Sequence, residues 1–273
     1  MKIIISHDVD HLNSNEHYFD FILLKYLVRS LIEFIYRTIS FTDLLNKFRS
    51  VYNSQWHNVF DLINFNNNNN IPSTFFWGMD NALGLNYSLK DVAPIITEVI
   101  HKKHNCGVHG IEFNNQLKME KEKELFSNIV GSKKFGIRMH YLRLDQGTLN
   151  MLNQLNYIFD SSIYADIEPF KIGDMWEFPI QIMDSYEFNT KFSWQSKTTE
   201  EIIFSTIEKI KTYDNKDFKY LNIVFHDRNF CKAQSSYMLW YESIISYLKD
   251  NGYEFISFID AIKELEYSSK ESL

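Results

Sequence analysis

Two aspartates separated by a single residue stand out near the start of the chain, in the segment from Ser6 to His11 (SHDVDH). The segment follows a short apolar run that predicts a strand. Side chains alternate along extended backbone, so Asp8 and Asp10 point the same way. Two carboxylates side by side repel each other unless a cation or an arginine lies between them. The pair therefore indicates a charged site.

Three later predicted strands also end in polar residues. They end at His109, at the run from Arg138 to Arg143, and at the run from His226 to Arg228. An aspartate with one or more histidines can hold a divalent metal ion, which lowers the pKa of bound water. A second aspartate can act as base, an arginine can keep it ionised, and another histidine can protonate a leaving amine. Such a set of residues could hydrolyse an amide.

Alternating strands and helices must bring these residues together. Repeated strand–helix units indicate a parallel sheet, and six or more favour closure of the sheet into a barrel. A parallel barrel places its functional residues at the C-terminal ends of its strands. The predicted strands cover residues 2–5, 74–77, 106–108, 135–138, 158–160, 176–179, 221–226 and 255–257. The predicted helices between them cover residues 59–65, 89–103, 120–130, 146–155, 199–212 and 237–251.

At these residues the chain resembles the polysaccharide deacetylase family, the carbohydrate esterases of family 4 with a NodB homology domain. The sequence His-Asp-Val-Asp resembles the first family motif in its DxD form. The resemblance implies that Asp8 is the catalytic base and Asp10 a metal ligand. The sequence Gly-Val-His that ends at His109 resembles the start of the second motif, which implies that His109 also binds the metal. The implied cofactor is a divalent metal ion, and zinc is the expected one.

The third and fourth motifs imply a substrate groove. The sequence Arg-Met-His-Tyr resembles the third motif, in which Arg138 would contact the base while His140 and Tyr141 line the groove with Arg143. The sequence Trp-Glu-Phe-Pro, which begins at Trp176, resembles the fourth motif and would supply an aromatic wall. Core packing is the alternative explanation of the aromatic residues.

The fifth motif is resembled by Ile-Val-Phe-His-Asp. By that match His226 is the catalytic acid, and Asp227 would contact substrate. A salt bridge or a buried, hydrogen-bonded histidine would look the same in sequence.

One departure from the family pattern concerns the metal site. The second motif usually has another histidine four residues after the first, and this chain has Phe113 there. Phe113 cannot bind metal, and two protein ligands alone bind weakly. Substitutes for the missing ligand are Asn114, His11, Glu112 and His7.

The resemblance implies an α/β fold with a distorted (β/α)7-type barrel in a single domain. The barrel is expected to span residues 1–265, with a helical insertion at about 12–56 after the first strand and a C-terminal tail at 266–273.

Composition limits the partners and the location of the protein. The net charge is −7 and the sequence pI about 5.7, which argues against nucleic acid as a partner. The two cysteines, Cys106 and Cys231, form no CxxC pair, so a disulfide framework is not indicated. The apolar run at the N-terminus is too short for a signal peptide. We therefore expect a cytoplasmic protein.

The segment 19–41 is the one membrane candidate. Lys25, Arg29, Glu33 and Arg37 interrupt its apolar residues every fourth position, which describes an amphipathic helix and not a spanning one. Such a helix either packs on the barrel or makes a peripheral contact with the inner face of a membrane.

These features lead to two hypotheses about function. The first is a metal-dependent hydrolase that removes N-acetyl groups from an amino sugar of a surface polysaccharide or its precursor. The alternative, motivated by Phe113, is a catalytically inactive relative that binds or assembles glycans.

Overall fold

The computed structural model describes residues 1–53, 55–188 and 197–271. Their strands form one sheet with the order β6-β7-β5-β4-β3-β2-β1-β9-β8, and β10 pairs with β1. The strands are β1 (Lys2–Val9), β2 (Thr74–Trp77), β3 (Asn105–Gly110), β4 (Ile137–Met139), β5 (Phe159–Asp160), β6 (Phe170–Ile172), β7 (Met175–Glu177), β8 (Ile182–Met183), β9 (Tyr220–Val224) and β10 (Glu254–Phe255). All pairings are parallel except that of β6 with β7. The curled sheet confirms the predicted α/β fold with a distorted barrel.

Ten α-helices lie among the described residues. They are α1 (Ile22–Ile35), α2 (Phe41–Tyr52), α3 (Val59–Asn68), α4 (Leu89–His101), α5 (Gln116–Val130), α6 (Thr148–Gln154), α7 (Asp184–Glu187), α8 (Thr199–Asn215), α9 (Ser235–Asp250) and α10 (Phe258–Glu271). Helices α1 and α2 lie between β1 and β2, where the helical insertion was predicted. The asparagine run ends α3 as expected, because Asn70 adopts a left-handed φ of 57°.

The alternation of side chains along β1 separates the core into two parts. Ile3 and Ile5 face outward into the large cluster beneath the helices. Ile4 faces inward and packs with Phe76 and Phe159 inside the barrel. The same alternation continues to the end of the strand, so Asp8 points into the barrel.

Helix α10 closes the N-terminal end of the barrel. Phe258 and Ala261 are fully buried in the inner cluster, and the Phe258 ring stacks on Phe159 at 4.4 Å between centroids. The helix continues through Glu271, so the residues from 266 onward that were predicted as a tail are helical as far as the structure describes them. Trp176 belongs to this inner cluster and is buried, and its place in the wall of a substrate groove stays a prediction.

Two buried carboxyl groups face each other on β5 and β7. Asp160 and Glu177 are paired in register, and both are fully buried. Burial raises the pKa of Glu177 well above its ordinary value, and the neighbouring Asp160 raises it further. The Asp160 carboxylate accepts a 2.6 Å hydrogen bond from Ser162, whose hydroxyl in turn accepts the Met139 amide at 2.8 Å. The raised pKa means that Glu177 keeps its proton to a higher pH than a free carboxyl group, beside the Asp160 carboxylate that orients Ser162 at the end of β4.

The pH dependence of stability tests this pair. A carboxyl whose pKa is higher in the folded than in the unfolded chain stabilises the fold fully below the unfolded value of about 4.5. That stabilisation is lost as the pH rises, by at most about 1.4 kcal/mol per pH unit for one group. We expect Glu177→Gln to flatten the decline between about pH 5 and 7 in urea unfolding, and the exposed Glu124→Gln to leave it unchanged. If the stability of Glu177→Gln declined with pH as steeply as that of the wild type, the raised pKa of Glu177 would be contradicted.

Candidate active site

A buried ion pair lies at the bottom of the site. Arg138 donates from Nη1 to Asp8 Oδ1 at 2.7 Å, and both side chains are buried. Its other donors reach the hydroxyl groups of Ser6 and Ser161 and the Ser161 carbonyl at 2.8–3.0 Å. Its guanidinium lies 4.3 Å above the Phe76 ring. Burial opposes ionisation of Asp8, but Arg138, His109 and His226 hold the pKa of this carboxyl below its ordinary value.

A three-residue cluster stands beside this pair. Asp10, His109 and His140 each present one ligand atom, and these atoms lie within 4.8 Å of one another. Asp10 Oδ1 is 3.3 Å from His109 Nε2 and 3.5 Å from His140 Nδ1. Asp10 and His140 directly follow β1 and β4, and His109 is the next-to-last residue of β3. The C-terminal ends of these strands meet at one rim of the barrel.

The hydrogen bonds around the cluster show that it fits a metal ion. His109 Nδ1 lies 3.0 Å from the Arg138 carbonyl, and His140 Nε2 lies 3.3 Å from the Leu83 carbonyl. A carbonyl only accepts, so each ring donates there and directs the lone pair of its other nitrogen inward. Those two nitrogens are 2.9 Å apart, and Asp10 Oδ1 beside them has no hydrogen-bond partner among the described residues. With both rings neutral, three acceptors would meet here, so the cluster takes up a cation, either an extra proton on His109 or a metal ion. Two imidazoles with a carboxylate are zinc ligands.

Charge explains how the metal-free cluster is balanced. Burial opposes protonation of His109, but Asp8 and Asp10 raise its pKa above the ordinary value. Burial and the neighbouring His109 lower the pKa of His140 to about 4. Burial alone would favour a protonated Asp10, yet the surrounding histidines hold its pKa well below the ordinary range. The carboxylate and a neutral His140 are the forms that bind metal.

His226 and Asp184 form a second pair across the site. His226 Nδ1 donates to Asp184 Oδ1 at 2.6 Å, and the His226 amide donates to the other carboxylate oxygen at 3.0 Å. Burial opposes the charge on the ring, but Asp184 and Asp10 raise the pKa of His226 to about 10. Its Nε2 faces the cluster, 3.8 Å from Asp10 Oδ2. A protonated imidazole with one free N–H can donate a proton to a leaving group.

The structure therefore brings the main predicted residues into one site. Asp8, Asp10, His109, Arg138 and His226 come from four distant segments and lie within ion-pair distance of a neighbour in the set. Their catalytic and metal-binding roles remain predictions.

Several predicted metal ligands lie elsewhere. His140, predicted to bind substrate, occupies the ligand position instead. His11 packs edge-on against His17 at 4.5 Å between ring centroids and against Trp56, outside the cluster. Asn114 has an exposed side chain in the turn before α5. Their assignment as ligands is not supported.

The other two substitutes for the missing ligand are also occupied. His7 points to the opposite side of β1 and is hydrogen-bonded to the Phe225 carbonyl and to Asn66, both at 2.9 Å. Glu112 forms an ion pair with Lys118 at 3.0 Å.

Two predicted substrate-binding residues make structural contacts. Asp227 is fully buried and accepts the Asn58 amide at 3.0 Å, so it ties the end of the insertion to the loop after β9. Arg143 donates to the Ile111 carbonyl and lies 4.8 Å above the ring of Phe113. The burial of Asp227 argues against direct contact with substrate, and the substrate-binding roles of both residues stay predictions.

Tyr141 lies where a substrate could reach it. Its side chain is 68% exposed, its ring lies 4.1 Å from that of His140, and its hydroxyl donates to the Leu83 carbonyl at 3.3 Å. Its φ of 56° places the backbone in the left-handed region and turns the chain sharply after β4. The position suits stacking on a sugar ring, which stays a prediction.

Sequence reasoning missed Asp184. The short strand β8 was not predicted, because two residues give no readable alternation. The signal was present as an aspartate that directly follows the apolar pair Ile182 and Met183.

Comparison with known proteins identifies the fold. No family model matches the sequence, and no curated protein matches it. Among solved structures, a protein described as a polysaccharide deacetylase from Mycobacterium smegmatis has 12% identity and a TM-score of 0.64, over 98% of this chain and 91% of that one. Another so described, from Pseudomonas aeruginosa, has 13% identity and a TM-score of 0.60, over 95% and 88%.

An inactive protein shares the same fold. A CE4 family pseudoenzyme from Bacillus anthracis has 8% identity and a TM-score of 0.52, over 95% of this chain and 64% of that one. The chain thus has the fold of the CE4 polysaccharide deacetylases. The structural similarity establishes the fold. At such low sequence identity it does not establish the activity, which has to be inferred from the residues of the site.

Metal titration tests the ligand set. We expect His140→Ala to weaken zinc binding about 100-fold or more, because second-shell changes alone cost 10–100-fold. His11→Ala is the matched control and should bind zinc as the wild type does. Isothermal titration of metal-free protein measures both affinities. The reverse order of effects would show that His11, and not His140, is the third ligand.

Proposed function

We propose that the chain is a metal-dependent hydrolase that removes an N-acetyl group from an amino sugar. The observation that carries the proposal is the meeting of the Asp8–Arg138 pair, the Asp10–His109–His140 cluster and the His226–Asp184 pair at one rim. The polysaccharide deacetylase fold supports an N-acetylated sugar as substrate.

In this proposal, different residues have different roles in amide hydrolysis. A divalent metal ion held by Asp10, His109 and His140 would polarise the acetamide carbonyl and lower the pKa of water. Asp8, ionised and oriented by Arg138, accepts a proton from the water as its oxygen forms a bond to the carbonyl carbon.

His226 completes the reaction. Its ring is protonated at neutral pH and held by Asp184, so its Nε2 proton is available on the side that faces the cluster. As the carbon–nitrogen bond breaks, that proton passes to the nitrogen. The products are acetate and the free amine of the sugar.

The alternative function is a glycan-binding protein without turnover. Its support is Phe113, which stands where the family has its second histidine, together with the pseudoenzyme among the structural neighbours. The two proposals predict different results with the same variant, since binding without catalysis needs neither a base nor a metal.

The activity assay separates the two functions. We expect zinc-loaded protein to release acetate from N-acetylated chitooligosaccharides, and Asp8→Asn to lower kcat about 100- to 10,000-fold through loss of the base. Asp61→Asn, an exposed change on α3, is the control and should have no effect. The absence of acetate release with zinc, manganese, cobalt or nickel, combined with metal-independent glycan binding that survives in Asp8→Asn, would favour the binding protein.

We also propose that α1 makes a peripheral contact with a membrane at its cytoplasmic face, where precursors of surface polysaccharides are built. Leu24, Val28, Leu31 and Ile35 repeat every three or four residues and are all exposed. Phe19, three residues before the helix, is 96% exposed. An exposed apolar stripe of this kind is typical of interfacial helices. No helix in the described ranges has both the length and the apolarity to cross a bilayer.

Vesicle binding tests the membrane contact. We expect the wild-type chain to sediment with vesicles of phosphatidylcholine and phosphatidylglycerol, and the double variant Leu24→Ser/Leu31→Ser to remain in the supernatant. The control Leu117→Ser changes a leucine on α5 that is even more exposed than these two, and it should sediment normally. Wild-type protein that stays in solution with every vesicle composition would refute the contact.

A further inference from the structure

A large cavity lies beside the active site and is not part of it. Its volume is about 600 Å³, and it is an open cavity lined by α1, α2, the start of α8 and the start of α9. Among its lining residues, Asn229 donates to Asp184 Oδ2 at 2.8 Å. The cavity thus adjoins the residue that holds His226.

The lining of this cavity is basic although the chain is acidic. Among the described residues, five cations and three carboxylates line it, which leaves two net positive charges against −7 for the whole chain. Of the carboxylates, Glu33 is already shared by Arg29 at 2.9 Å and Lys47 at 3.3 Å. The cations that line it are Arg29, Arg37, Lys47, Lys197 and Arg228, and the carboxylates are Glu33, Asp43 and Glu200.

Arg228 has a guanidinium group that the fold holds in place without an ion pair to neutralise its charge. Its guanidinium lies 4.0 Å from the Trp56 ring centroid and 5.1 Å from that of Tyr26, so two aromatic faces of the insertion fix its position. In the part of the chain that the structure describes, no carboxylate or hydrogen-bond acceptor contacts this guanidinium. The buried Arg138 differs, because four acceptors surround it.

We propose that Arg228 and the cavity bind a phosphate or diphosphate group of the substrate. A guanidinium presents a planar set of donors that matches phosphate oxygens, and stacking on aromatic rings leaves those donors free. The excess of cations favours a ligand with more than one negative charge. This assignment rests on the proposed deacetylation and names its substrate class, an N-acetylated sugar linked through phosphate to a nucleotide or a lipid.

Inorganic pyrophosphate tests the site without reference to activity. We expect it to bind the metal-free full-length chain in isothermal titration, and Arg228→Gln to weaken that binding about 10-fold or more through loss of charge-assisted hydrogen bonds. Arg37→Gln changes an exposed lining residue, cannot disturb the core, and should weaken binding about 2-fold or more. Lys263→Gln, on exposed α10 surface, is the control. The site would be overturned if the wild-type chain binds no pyrophosphate, or if both cavity variants bind it with the affinity of the wild type.

Kinetics then test whether the phosphate belongs to the substrate. For acetate release, Arg228→Gln should raise KM for UDP-N-acetylglucosamine about 10-fold and leave KM for a neutral chitooligosaccharide unchanged. An unchanged KM for the nucleotide sugar, with pyrophosphate binding still dependent on Arg228, would refute the nucleotide-linked substrate. The same result with a lipid-diphosphate-linked N-acetylated sugar would refute the substrate class in favour of a separate phosphate ligand. If no substrate is deacetylated, the proposed function fails, while the titration still decides the site.

Discussion

The buried guanidinium of Arg138 is the interaction on which the rest of the site depends. It lies inside the barrel and bonds to β1 through Asp8 and Ser6, and to the end of β5 through Ser161. A buried charge that loses its partner destabilises a protein by about 3–5 kcal/mol, so the strands cannot separate without leaving this cation unpaired. The ion pair that keeps Asp8, the proposed base, ionised is thus also the interaction that holds the strand ends together.

Much of this arrangement could be predicted from sequence because two local rules suffice for it. Apolar runs that end in polar residues gave the strands and their C-terminal rim, and alternation along β1 gave the common direction of Asp8 and Asp10. The missed features depend on long-range packing. The position of helix α10 at the end of the barrel was not predicted. A helix that closes a barrel has the same amphipathic pattern as any other packed helix. The burial of Trp176 could not be predicted either, since an aromatic residue of the core and one in the wall of a groove look the same in sequence.

The departure at Phe113 shows how a neighbouring strand can supply an equivalent side chain. The loop after β3 carries Phe113 in place of a histidine, and its ring packs under Arg143. The third candidate ligand atom beside Asp10 and His109 comes from His140, one strand further along the sheet. Neighbouring parallel strands end at the same rim, so a ligand lost from one can be supplied by the next. Sequence comparison by motif places His140 in the substrate groove because it compares positions in the chain and not positions in space.

The loop after β9 links His226, the proposed catalytic acid, to the insertion. His226, Asp227 and Arg228 are consecutive, yet they face the candidate active site, the start of α3 and the aromatic residues of the insertion in turn. Burial and the nearby Asp10 raise the pKa of Asp227 to about 8, and its carboxyl group accepts the Asn58 amide. Three successive side chains of one short loop therefore contact the candidate active site, the insertion and the neighbouring cavity. A ligand that orders the insertion through Arg228 would, by the same contacts, fix the backbone that carries His226.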